Sequence, residues 1–279
     1  MRRLSGMLVL VFALSAAPAS AAVARRPQHL WGGMRVRSLD PGRSPGPGGA
    51  EARARAAGAR TDAARPGSVA VLSNERTDSR WSYVDRIAFI YRRPWPRSGR
   101  LGRLTWYTED GFPSVYLVLR ARWDARGREW VKLRIPGRPN GRTGWVERNA
   151  LGRFHLTHLL VVVNRRRLRI SLFSDGRRLW SAPVGVGTPS TPTPAGHFWI
   201  NERFKIEDPQ SGYWPYAFGT TDYSTLSDWP GGGVVGIHGP YYAAPLIPGR
   251  ISHGCIRLRV GADAWLARHI RLGTPVHVI

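Results

Sequence analysis

Apolar and polar positions along the chain fall into two textures. From about Trp81 onward, short runs alternate apolar and polar residues or are wholly apolar, and Gly- or Pro-rich breaks cut them: 86–91, 104–107, 114–119 and 130–135, with Gly137-Arg-Pro-Asn-Gly141 ahead of 143–146. A period of two marks a half-buried strand, and several short strands at close spacing predict a small barrel or sandwich. A second β-rich unit begins near His155. Its runs are 159–163, 169–173, the Asp175-Gly176 hairpin turn, 178–184, 196–200, 234–238 and 274–279. One segment carries the helical period. Ala262, Trp265, Leu266, His269 and Ile270 predict a helix over 262–271, with Arg268, His269 and Arg271 in its last turn and Gly273 as its stop. The pattern as a whole predicts a mostly β protein with one or two helices.

Before Trp81 the periodicity is lost. Arg2 and Arg3, the apolar run 7–17, the break at Pro18 and the small residues Ala19-Ser20-Ala21 form a secretory signal peptide over 1–21, with an uncleaved anchor as the alternative. The apolar run is about half the ~20 residues a spanning helix needs. No later run is long and apolar enough, so no stable membrane span is expected. Residues 22–75 are built from Ala, Arg, Gly and Pro. Such a composition buries too little apolar surface to offset the entropy of ordering. It predicts a disordered basic linker that carries the folded part into the wall.

Charge and cysteine usage narrow the function. The net charge is +24, and only Lys132 and Lys205 among the basic residues are not arginine. About +17 of it lies in 76–279, so it is no mere tail. Such a balance favours anionic partners. Export argues against nucleic acid and for anionic wall polymers or a membrane surface. The single cysteine, Cys255, cannot form an internal disulfide, which leaves a reactive thiol, an intermolecular bridge or an inert buried thiol.

The residues around Cys255 favour the first. His253 and Gly254 precede it, Arg257 follows, and His238 lies upstream at the end of an apolar run. A thiol attacks as its thiolate, which a neighbouring cation favours. A cysteine nucleophile needs a base, and the base needs a group to orient it. Glycines at 239 and 254 permit close backbone approach, and backbone N–H groups can face a developing oxyanion. Zinc held by His238, His253 and Cys255 is an alternative, but no further cysteine closes a structural site. A structural histidine pair beside an inert thiol is another. A papain-like protease would place its histidine well downstream of the cysteine, where only His269 and His277 follow.

Gly236-Ile-His-Gly239 followed by Ser252-His-Gly-Cys-Ile-Arg-Leu258 resembles the signature of the L,D-transpeptidase catalytic domain (YkuD-type). Upstream, 161–164, 168–176 and 182–188 look like that domain's opening strands, and Thr191-Pro-Thr-Pro-Ala-Gly196 looks like its Pro-Thr-Pro-x-Gly loop. The resemblance covers about 155–279. Glu129-Trp-Val-Lys-Leu-Arg-Ile135 with Gly144-Trp-Val-Glu147 resembles a bacterial SH3-like domain. The expected organisation is a signal peptide (1–21), a linker (22–75), a small SH3-like β-barrel (76–152) and a β-rich catalytic domain (155–279).

The resemblance implies roles. Cys255 matches the nucleophile, His238 the general base and the Gly239 carbonyl the group that orients the imidazole. His253 and Gly254 would shape the pocket, with N–H groups near Gly254 and Cys255 as the oxyanion hole. The choice of base between His238 and His253 stays open. Arg257, Ser252, Tyr216 and Tyr241 (or Tyr242) would meet the substrate. The implied reaction is acyl transfer. Cys255 attacks the third-residue carbonyl of a tetrapeptide stem, D-Ala leaves, and the amine of a neighbouring stem resolves the thioester into a cross-link. Water as acceptor would make the enzyme a carboxypeptidase, and a protein lysine would make it a tethering enzyme. No metal and no cofactor is implied. A non-catalytic wall-binding protein is the reading from another class.

Overall fold

A computed structural model describes residues 35–40, 65–228, 230–239 and 244–279. The signal segment 1–21, most of 22–75, Tyr241 and Tyr242 lie outside the described residues. In chain order the strands are β1 (Val36–Ser38), β2 (Val69–Val71), β3 (Ser79–Tyr83), β4 (Phe89–Tyr91), β5 (Arg100–Arg103), β6 (Val115–Trp123), β7 (Glu129–Arg134), β8 (Thr143–Glu147) and β9 (His155–Thr157). They continue with β10 (Leu159–Asn164), β11 (Arg169–Ser174), β12 (Arg177–Pro183), β13 (Gly185–Gly187), β14 (Gly196–Trp199), β15 (Phe204–Ile206) and β16 (Tyr216–Tyr223). After β17 (Val234–His238), β18 (Gly249–Ser252) and β19 (Ile256–Arg257), helix α1 (Val260–His269) leads to β20 (Pro275–Val278). The mostly β class expected from the pattern is the class observed.

Three sheets result. The first runs β5-β4-β8-β7-β6-β3-β9, with β2 on β6. The second runs β12-β11-β10-β20-β14, and the third β1-β15-β16-β17-β19-β13-β18. Asp175 and Gly176 both have positive φ, 49° and 76°, and turn β11 into β12 as the sequence predicts.

Strand β6 explains how the sheets meet. Val115 and Leu117 belong to the large core that the second and third sheets share with α1. The alternate residues Tyr116 and Val118 belong to the first sheet's own core, with Ile90, Leu104, Val131, Leu133 and Val146. A period of two sends successive side chains to opposite faces. One strand therefore feeds two cores, which is why 114–119 reads as a nearly continuous apolar run. The first sheet consequently departs from the expected small barrel. Its edge strands β5 and β9 do not pair with one another, and among the described residues no closed barrel forms. The face that a barrel would fold over is covered by the C-terminal unit instead.

The expected linker is corrected in two places. Residues 36–38 add an antiparallel edge to β15, with Val36 packed beside Phe112 and Phe204, and Asp40 Oδ1 accepts from Arg203 at 2.7 Å. Residues 69–71 pair with β6. In both, backbone ladder bonds to an existing edge supply the order that composition alone does not. Helix α1 starts and ends two residues before the predicted range. Asp263 sits in its first turn, where the positive end of the helix favours a carboxylate, and Ile270 leaves the helix in extended geometry at ψ 154°.

Candidate active site

Parallel pairing of β17 with β19 assembles the site. Ile237 lies opposite Ile256 and His238 opposite Arg257. The same register sets Cys255 across from Gly236, whose N–H points at Cys255 Sγ at 3.5 Å. His238 stands two residues further along β17, on the same face as Gly236. Residues seventeen apart in sequence thus become sheet neighbours.

The turn that carries Cys255 is held from three sides. Ser252 Oγ donates to the Cys255 carbonyl at 2.6 Å and accepts the Gly254 N–H at 3.2 Å. Thr193 Oγ1, from the Pro-Thr-Pro loop, donates to the Gly254 carbonyl at 2.6 Å and accepts the Gly187 N–H at 2.9 Å. The Thr188 N–H meets the Ser252 carbonyl at 2.9 Å. Gly254 has φ 124°, a region that side-chain-bearing residues rarely adopt, and a Cβ there would sit 3.1 Å from Ser224 Cβ.

His238 is buried, and its Nδ1 lies 2.9 Å from the Gly239 carbonyl. That bond selects the tautomer with the proton on Nδ1 and leaves Nε2 as the basic nitrogen. Gly239 is fixed in turn. Its N–H is donated to the Tyr216 carbonyl at 3.4 Å, and the Tyr216 N–H is donated to the Asp263 carboxyl at 2.9 Å. A Cβ on Gly239 would overlap the Trp214 carbonyl and lie 2.9 Å from Pro215. The chain of positioning runs from α1 through Asp263, Tyr216 and Gly239 to the imidazole.

Burial governs the electrostatics. It pulls the His238 imidazole down to about 4, with the nearby Arg257 cation acting in the same direction and the Gly239 carbonyl opposing. Burial pushes the Cys255 thiol up, while the Gly236 N–H and Arg257 favour its thiolate and Asp222 disfavours it. The resting pair is therefore a neutral thiol and a neutral imidazole. Asp222 and Asp263 are both raised well above the ordinary carboxyl range by burial.

The structure brings together Cys255, His238, Gly239, Gly254 and Arg257. Arg257 is half-buried, and its buried Nε has no hydrogen-bond partner among the described residues. His253 is exposed at the turn before Cys255, so of the two histidines only His238 is buried in the sheet. Ser252, expected beside substrate, is buried with its hydroxyl committed to the turn. The Gly254 N–H, expected in the oxyanion hole, is committed to Ser252. Tyr216 is half-buried and packs on the main core while its backbone bonds to Asp263. Tyr241 lies outside the described residues. Asp263, Asp222 and Ser224 stand outside the sequence motifs, and Thr193 falls in one only as part of the Pro-Thr-Pro loop. The Asp263 carboxylate four positions into a helix start and the threonine between two prolines are the only local signals they carry.

Glu75, His197 and His277 are the one group among the described residues whose ligand atoms could converge on a metal ion. His197 and His277 are cross-strand partners with rings stacked at 4.0 Å. Both Glu75 oxygens, however, already accept from Arg134, at 2.5 and 2.9 Å. Burial and the neighbouring His197 depress the His277 imidazole, with Arg134 and Arg76 acting in the same direction and Glu75 opposing. Two cations beside one carboxylate oppose a divalent ion. The cluster reads as an interlock between the first sheet and β14–β20.

Residues 158–278 match the family model described as the YkuD L,D-transpeptidase catalytic domain. The match does not extend into the first sheet. Among solved structures, the chain is similar to a mutant L,D-transpeptidase from Enterococcus faecium, at 24% identity over 43% of this chain and 49% of that one, TM-score 0.34. It is similar to an L,D-transpeptidase from Mycobacterium tuberculosis at 17% identity over 55% and 90%, TM-score 0.38. It is also similar to the Bdellovibrio bacteriovorus protein Bd1075 at 26% over 44% and 48%, TM-score 0.36. The chain spans about half the length of the first two solved structures it matches, 48% and 49%. No curated protein matches it.

Proposed function

We propose that this chain is an exported peptidoglycan L,D-transpeptidase that works through a Cys255 thioester. The observation that supports the reading is the pairing of His238 on β17 with Arg257 on the parallel strand β19, with Cys255 immediately before β19, inside the matched segment. The neutral resting pair sets the order of proton transfer. The thiol gives its proton to His238 Nε2 as Sγ attacks the carbonyl of the third stem residue, so the thiolate is not formed in advance. The Cys255 N–H faces the oxyanion. As the tetrahedral adduct collapses, the C–N bond to D-Ala breaks and His238 returns the proton to the leaving amine. The acceptor amine then attacks the thioester, His238 takes its proton, and Sγ leaves as the thiol. The Arg257 guanidinium, with an unused buried donor, binds a carboxylate or carbonyl of the stem. No metal or cofactor enters these steps.

The wall is also the partner of the surface. From Arg86 to Thr108 the chain has six arginines and no acid. Arg92, Arg93, Arg97, Arg100 and Arg103 are exposed on the β4–β5 hairpin beside exposed Trp95 and Phe89. This supports contact with anionic wall polymers, which salt would weaken.

Intact-mass spectrometry of the chain with a carbapenem, then with a disaccharide-tetrapeptide, tests the catalytic reading. The expected result is a covalent adduct absent from Cys255→Ala, release of D-Ala, and a dimer as product. Hydrolysed product without dimer would reassign the enzyme as an L,D-carboxypeptidase. A protein-linked product formed only with an added lysine-bearing acceptor would reassign it as a tethering enzyme. Folded protein with neither adduct nor D-Ala release would reduce the chain to a wall-binding protein.

A further inference from the structure

The β7–β8 loop of the first sheet reaches the segment that backs the nucleophile. Arg138 donates from Nε to the Ser224 carbonyl at 3.0 Å, and from Nη2 to the carbonyls of Ser224 and Leu226 at 2.8 and 3.1 Å. Its Nη1 reaches the Gly232 carbonyl at 3.0 Å, and its guanidinium lies 5.1 Å from the centre of the Tyr223 ring. Two positions on, Asn140 Nδ2 donates to Asp222 Oδ1 and to the Tyr223 carbonyl, both at 2.9 Å, and Oδ1 accepts the Tyr223 N–H at 3.2 Å. Glu109, also from the first sheet's unit, accepts from the Tyr223 hydroxyl at 3.3 Å.

These contacts lead to the nucleophile in two short steps. Ser224 is buried and packs on Gly254, the residue before Cys255. Asp222 is buried near enough to disfavour the Cys255 thiolate, and its Oδ2 has no hydrogen-bond partner among the described residues. Among the described residues of 224–233, the backbone bond is the Ser224 N–H to the Gly233 carbonyl at 2.9 Å. A planar guanidinium with five fixed donors suits three converging carbonyls in a way a single ammonium does not. Of the three, the Ser224 carbonyl is the one set in a buried residue, where a lost partner is costly.

We infer that Arg138 and Asn140 are positioning residues of the transferase, and that the N-terminal sheet is a working part of the catalytic site through the wall 222–233. The inference rests on Cys255 being the acyl-carrying nucleophile. Acyl transfer depends steeply on placement, and a misplacement of about 1 Å can cost on the order of a hundredfold. A wall that still folds but drifts would slow acylation without unfolding the protein.

The test uses the full chain with Arg138→Ala, Arg138→Lys and Asn140→Ala. Three quantities are read well below the thermal midpoint: amide exchange over 222–235, the rate of Cys255 acylation by a carbapenem, and the rate of Cys255 alkylation by iodoacetamide. The expected result is faster exchange in the alanine variants, acylation slowed about tenfold or more, faster alkylation, and partial recovery in Arg138→Lys. A folded Arg138→Ala protein acylated within about twofold of the parent, or with unchanged exchange, overturns the inference. If Arg138→Ala does not fold, Asn140→Ala carries the same comparison. If the parent itself takes no acyl group, the catalytic reading fails separately. Exchange and alkylation then judge the clamp: faster values in the variants support it, and unchanged values overturn it.

Discussion

At the scale of residues, a buried imidazole and a half-buried thiol set how the candidate site should titrate. His238, held down to about 4, is neutral over the whole physiological range and can accept a proton. It is lost as a base only as pH falls through its folded value. The acid limb of acylation should therefore lie near pH 4 rather than near the ordinary imidazole range, as a pH–rate profile with a carbapenem will report. Cys255 is shifted the other way, so its alkylation should keep rising with pH beyond the ordinary thiol range. Arg257 is one of the groups favouring the thiolate, and Arg257→Gln should move the alkylation profile to higher pH. A profile moving lower would remove Arg257 from that role. Asp263 acts one step back. Asp263→Ala leaves the Tyr216 N–H unpaired, loosening the residue whose carbonyl accepts from Gly239, and should lower acylation about tenfold or more, while Asp263→Asn, which keeps an acceptor oxygen, should retain most of it. Equal losses in the two variants would argue for charge rather than acceptance.

Among the elements, legibility follows how local the cause is. Strands β10, β11 and β17 carry their alternation or apolar runs within a few residues, and the turn at Asp175-Gly176 needs only its own dihedrals. Strand β16 is different. Gly219, Thr220, Thr221 and Asp222 are all buried, so its sequence reads as polar. Their partners come from elsewhere: Thr220 Oγ1 donates to the Val235 carbonyl at 2.6 Å, and Thr221 Oγ1 accepts the Trp199 N–H at 3.2 Å. Cys255, His238 and Gly239 could be picked out because thiol, imidazole and glycines lie within one short stretch. The supports at Asp263, Asp222 and Arg138 could not, since each acts through tertiary contacts no period reveals. Thr193 shows the energetic side of such an element. Its hydroxyl joins β13 to the turn before Cys255, and Thr193→Val would leave the Gly187 N–H and the Gly254 carbonyl buried and unpaired. The expected cost is about 1–3 kcal/mol in denaturant unfolding. A loss below about 0.5 kcal/mol would mean that the loop relaxes to other partners.

Over the whole molecule, the two units share material rather than a mere contact. Trp81, Val115 and Leu117 of the first sheet lie in the C-terminal core, and the Trp199 indole N–H is donated to the Val115 carbonyl at 2.8 Å. Trp81 also lies against Gly273, where a Cβ would overlap the indole ring. Gly273→Ala should therefore destabilise the protein by roughly 1–3 kcal/mol, by overpacking at the junction. Calorimetry should show one transition that moves as a whole. Two transitions, with only one displaced, would mean that the units unfold independently.

The second sheet has a consequence for how the chain reaches this state. Strand β20 lies between β10 and β14, with Val161 opposite Val276. Strand β1 reaches as far, from Val36 to Ile206. Contacts of such long sequence separation make folding slow, because loop closure must come before the contacts that reward it. Until β20 arrives, β10 and β14 present open edges to one another's neighbours in solution. A polypeptide in that condition is prone to self-association, so the yield of refolded protein should fall as its concentration rises, well before any limit set by the native surface.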